Sequence, residues 1–164
     1  MANEITRRNF IKGAAAAAIA VSLSGVLTGC GDNGYDVGDF RVYPEVTGAP
    51  WDVINNTGSI RLNVKVKNMR STVSIGNSFE NVFAAKVGNT KLALTDETKG
   101  NRIDLLKGSS KDCALEFKIK EKDKEIYDKL VSGDALLVLT ITLSSQSKEF
   151  AVSVKDQEVV PLEQ

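Results

Sequence analysis

From residue 39 onward the chain alternates between apolar and polar side chains. In residues 60–67, Ile60, Leu62, Val64 and Val66 fall on one side and Arg61, Asn63, Lys65 and Lys67 on the other. A period of two is the pattern of a strand with one buried face. Residues 113–120 repeat it, with Cys113, Leu115, Phe117 and Ile119 facing inward between Ala114, Glu116, Lys118 and Lys120. Residues 136–143 place Leu137, Leu139, Ile141 and Leu143 opposite Thr140 and Thr142. Shorter strands are predicted at 39–46, 51–54, 73–75, 82–87, 91–95, 103–106 and 150–154. Pro44 marks an edge or a bend in the first of them, because proline cannot donate to a ladder. Gly88-Asn89-Thr90 and Lys107-Gly108-Ser109-Ser110 supply turns between strands.

One segment breaks the rule. Residues 121–132 do not alternate, but Ile126, Tyr127, Leu130 and Val131 cluster at helical spacing and Gly133 follows as a stop. One short helix is therefore predicted near 122–131. Short strands at regular spacing, without long βαβ crossovers, indicate an all-β antiparallel sandwich of about seven to nine strands. The domain is expected to span 39–158, with 159–164 as a C-terminal tail that frays or extends an edge.

The front of the chain follows different rules. Arg7, Arg8 and Lys12 precede a 17-residue stretch, 13–29, that carries no charge and contains six alanines. A basic segment, an apolar segment and a small-residue exit are the parts of a signal peptide, predicted here as an N-terminal signal helix within 1–29. Thr6, Arg7, Arg8, Phe10, Ile11 and Lys12 resemble the twin-arginine (Tat) export motif, an address read by a receptor. Leu27, Thr28, Gly29 and Cys30 resemble a bacterial lipobox. That resemblance implies cleavage before Cys30 and lipidation of its thiol, with the Tat translocase and lipoprotein-processing enzymes as partners during export. Two acyl chains hold where one gives marginal anchoring, since each buried methylene contributes about 0.8 kcal/mol. The expected location is the extracytoplasmic face of the cell membrane, anchored through Cys30. Residues 30–38, rich in Gly, Asp and Asn, read as a flexible tether.

Composition narrows the chemistry of the body. Beyond residue 29 the chain has 18 basic and 20 acidic residues, a balance that gives no reason to propose nucleic acid as a partner. The sequence has no histidine and two cysteines. Ser-His-Asp, Cys-His and His-ligated metal sites are excluded. With Cys30 committed to lipid, Cys113 has no disulfide partner and is expected to be a core thiol. Asp32, Asn33, Asp36 and Asp39 carry calcium-type oxygens but lack the loop spacing that calcium requires. Asp96 and Glu97 beside Lys99 and Arg102, and the alternating run 121–125, read as solvated surface. No catalytic residue, metal or cofactor is expected.

Two stretches carry a resemblance for the body. One is Leu62-Asn63-Val64-Lys65-Val66-Lys67-Asn68 followed by Val73-Ser74-Ile75; the other is Leu106-Lys107-Gly108-Ser109 followed by Leu115-Glu116-Phe117-Lys118-Ile119. They are similar to Ig-like sandwich domains of bacterial lipoproteins, a family of unknown function. The resemblance implies an Ig-like sandwich and transfers no catalytic group. The resulting expectation is a membrane-anchored, non-enzymatic binding or interaction domain for an envelope protein or glycan. Trp51 is a candidate contact, because aromatic residues anchor interfaces. The alternative from another class is an accessory subunit of a Tat-exported envelope redox enzyme.

Overall fold

The computed structural model describes residues 33–70 and 77–162. The signal helix, the twin-arginine motif, the lipobox with Cys30 and the strand expected at 73–75 lie outside the described residues.

Two antiparallel sheets pack face to face. The first carries β1 (Tyr35–Val37), β2 (Phe40–Gly48), β4 (Thr57–Asn68) and β9 (Ser110–Ile119), in that order, with β3 (Trp51–Asp52) paired to the start of β4. The second carries β6 (Phe83–Val87), β10 (Leu137–Leu143), β11 (Gln146–Ser153) and β12 (Glu158–Pro161). Strand β7 (Thr90–Leu94) joins the two: its first half pairs with β6 and its second half with β9. A small ribbon, β5 (Asn77–Ser78) with β8 (Arg102–Ile103), lies apart.

The predicted alternation accounts for the core. Ile60, Leu62, Val64 and Val66 of β4 and Cys113, Leu115, Phe117 and Ile119 of β9 are all buried, in registered pairs such as Leu62 with Leu115. From the second sheet Leu137, Leu139, Ile141, Leu143 and Phe150 face them. Their outward neighbours bond across the strands instead. Arg61 Nε lies 2.9 Å from Glu116 Oε1, and Asn63 donates to Glu45 at 3.0 Å, the cross-strand pairing that stabilises an exposed sheet face. Pro44 sits beyond the last β1 pair, Tyr35 with Val42, where β1 asks nothing of its missing N–H.

The helix is α3 (Lys124–Ser132), preceded by a 3-10 turn at Glu121–Asp123 and ended by Gly133 at φ +86°. A positive φ suits glycine, which has no Cβ to clash. Tyr127 and Ile126 pack on the core and Leu130 is fully buried. Two single-turn helices were not expected: α1 (Phe79–Val82), which takes Val82 out of strand β6, and α2 (Asp96–Lys99).

Two further expectations are corrected and a third is narrowed. The strands number twelve among the described residues, of which seven have five residues or more; the extra ones are short ribbons that tertiary contacts recruit. The segment read as tether contains β1: Val37 is buried, and the Tyr35 ring meets Phe150 edge-on at 5.4 Å, closing one side of the sandwich. Of the two readings of the C-terminal segment, fraying or extending an edge, the structure shows the second: β12 pairs with β11 from Ser153 to Phe150. Its neighbour Leu162 donates its N–H to the Glu149 carbonyl at 2.8 Å and covers Val138 and Ala151 on the outer side of the sheet. That second small core is what lets β10 bury Val138 as well as its inward residues.

Candidate functional site

The fork between β6 and β7 is the site the fold builds. The two strands pair from Val87 with Thr90 to Ala85 with Leu92, around a turn with Gly88 at φ +56°. They then part. β7 crosses to β9, pairing Ala93 with Lys118 and Leu94 with Phe117, while β6 stays with β10 through Phe83 and Ile141. Thr95 holds the departure in place by donating its N–H to the Glu116 carbonyl at 2.9 Å. The result is an open groove of about 420 Å³. Its depth comes from small side chains: Ala84 and Ala93 flank it, and Ala85, Leu92, Phe83 and Phe117 form the floor.

The groove has two different ends. At the hairpin end Lys86 and Lys91 are directly opposite each other in the ladder. Like charges so placed repel. Lys86 Nζ is 3.2 Å from Glu149 Oε1, which also accepts from Thr140 Oγ1 at 3.3 Å. Lys91 is exposed and has no ion-pair partner among the described residues. At the other end α1 and α2 bring up Glu80 and Lys99. Lys99 Nζ donates to Asp96 Oδ1 at 2.5 Å, and that bond together with the Asp96 charge raises the Lys99 pKa.

Trp51 is half-buried and does not line the groove: it pairs with Gly58 of β4, which pairs in turn with Ile119 of β9, one residue beyond the Lys118 that meets Ala93. Its ring sits 4.8 Å from that of Tyr127, Lys124 Nζ lies 5.1 Å from its centroid, and the Tyr127 hydroxyl donates to the Ala49 carbonyl at 2.6 Å. Its indole is thus occupied in docking α3 onto the sheet. The exposed apolar pair nearby is Val53 and Ile54, at 83% and 94% exposure on the β3–β4 turn. Asp52 shapes that turn by accepting from the N–H groups of Ile54 and Asn55 and from the Asn55 amide. These bonds, the Asn55 amide foremost, lower its pKa.

The other sequence candidates are dispersed. Asp36 is bidentate to Arg41, at 2.7 Å and 3.1 Å, and that hydrogen bonding holds its carboxyl below the usual range. Cys113 is buried opposite Val64, and burial pushes its thiol up to about 12, far from the low values of reactive thiols. Of the 121–125 run, Lys124 pairs with Asp128 and Glu125 with Lys129 along α3. Among the described residues no group of three His, Cys, Asp or Glu side chains could hold a metal ion, and no helix is long and apolar enough to cross a membrane. The groove itself was absent from the sequence reading. Its only linear trace is Phe83-Ala84-Ala85-Lys86 facing Lys91-Leu92-Ala93-Leu94, small residues beside lysines across a predicted hairpin.

Comparison with known proteins bears on the leader. The family described as TAT (twin-arginine translocation) pathway signal sequence matches residues 4–24. The N-terminus therefore carries a Tat signal, and the chain is an exported protein that uses the Tat translocase to cross the cytoplasmic membrane. No curated protein and no solved structure matches.

Proposed function

We propose that this exported chain is a lipid-anchored, non-enzymatic binding domain of the Ig-like kind, working on the outer face of the membrane. The observation that carries the binding role is the β6–β7 groove, a concave apolar surface with a few polar groups at its ends, the usual form of a ligand site. The anchor rests on Leu27-Thr28-Gly29-Cys30 immediately behind the matched signal. Support for a role without catalysis comes from the lack of histidine in the sequence and from a thiol that burial keeps protonated.

Anchoring is tested with Cys30→Ala, which should abolish metabolic labelling by a palmitate analogue and release the protein from membranes. A variant that still labels and still sediments with membranes would sink the lipoprotein reading. Export is tested alongside: Arg7→Lys combined with Arg8→Lys should leave the precursor inside the cell.

A further inference from the structure

We propose that the groove binds a small amphipathic anion, an aliphatic body carrying one carboxylate, with the carboxylate at Lys91 and the body lying over Ala84 and Ala93 toward Phe117. This rests on the reading of the domain as a binding module and gives its site a ligand class. The argument begins with charge. Lys86 and Lys91 face each other with one carboxylate, Glu149, serving Lys86. Among the described residues Lys91 is left without a counter-charge at the mouth of an apolar slot. A ligand carboxylate there relieves the repulsion between the two ammoniums and completes the alternation of charge across the sheet face.

The rest of the lining selects against other chemistries. A glycan needs hydroxyl partners and an exposed aromatic platform. Here the hydroxyl is Thr140, already bonded to Glu149, while Phe83 and Phe117 are 3% and 0% exposed. A polyphosphate needs several free cations, but Lys86 and Lys99 are paired with carboxylates. Glu80 at the far end repels a second negative charge. An aliphatic chain fits what remains, since Ala84, Ala85 and Ala93 leave open an apolar trough that larger side chains would fill.

The test is an amide-resolved NMR titration of the full chain carrying Cys30→Ser with sodium octanoate, octan-1-ol, octylammonium and sodium acetate. Octanoate should shift the resonances of Ala84, Ala93 and Leu94, octanol should bind about tenfold or more weakly, and acetate should leave these signals unmoved. Lys91→Ala should weaken octanoate, and Lys91→Glu should weaken it further because a carboxylate there repels that of the ligand; the position is exposed. Ala93→Leu should block it while leaving the rest of the spectrum in place. Octanol or octylammonium binding at these residues as well as octanoate does would overturn the anion assignment and leave the groove as a ligand site. Silence at these residues with all four probes would overturn both.

Discussion

At the scale of single residues, Glu116 shows how an outward side chain contributes to the sandwich. Its Oε1 accepts from Ser59 Oγ at 2.6 Å and from Arg61 Nε at 2.9 Å. These interactions, the Ser59 bond foremost, lower its pKa from the ordinary 4.5. A depressed carboxyl stabilises the fold fully above 4.5, and that contribution fades as pH falls through the folded-state value, where both states take up the proton. Glu116→Gln should therefore cost more thermal stability at pH 7 than at pH 3, measured as the difference in Tm from wild type at each pH. An equal difference at both would mean that the carboxylate charge is not what the two donors recognise. That Arg61 and Glu116 face outward was legible in the alternation of β4 and β9, since both fall on polar positions. That Glu116 would bond both Arg61 and Ser59 was not, because it depends on the register between two strands more than fifty residues apart in the chain.

At the scale of elements, the tilted contact of Tyr127 with Trp51 helps dock α3, beside buried Leu130 and the Tyr127–Ala49 bond. A Cβ on Gly58 would come within 2.5 Å of Trp51 Cε3 and 3.0 Å of Tyr127 Cδ2, so the glycine makes room for both rings. Gly58→Ala should force the stack apart at a cost of about 1–3 kcal/mol, the usual penalty for overpacking. Urea denaturation should register that loss, and hydrogen exchange should place it in residues 124–132. A variant as stable as wild type would show that the indole has room to shift. Strands β4, β9 and β10 and helix α3 were legible because each has a long run of one period. The fork of β6 and β7 was not. The pattern 82–95 reads as a plain hairpin, and only the pull of β9 on Ala93 and Leu94 opens it. The C-terminal segment could be read as an edge extension, but its partner surface could not: Val160 and Leu162 find Val138 and Ala151 as a second apolar patch on the outer side of the sheet.

For the whole molecule, the Tat signal and the packing of the sandwich bear on each other. The Tat route is associated with passengers that fold before export, and this domain has the means to do so in a reducing cytoplasm. Its stability comes from a two-sheet core, and its buried cysteine has no second thiol in reach among the described residues. Export should then depend on core stability. Leu115, 2% exposed and registered against Leu62 at the centre of the first sheet, tests this away from the groove. Leu115→Ala removes about 2–5 kcal/mol from a total that for such domains is about 5–15 kcal/mol. The exported fraction should fall and precursor accumulate, with the arginine pair intact. Leu106→Ala, at a position 74% exposed, should export as wild type does. If Leu115→Ala is measurably destabilised yet exports normally, the translocation step does not require this fold. The core would then serve only the domain's life outside the membrane, where a rigid frame keeps β6 and β7 apart.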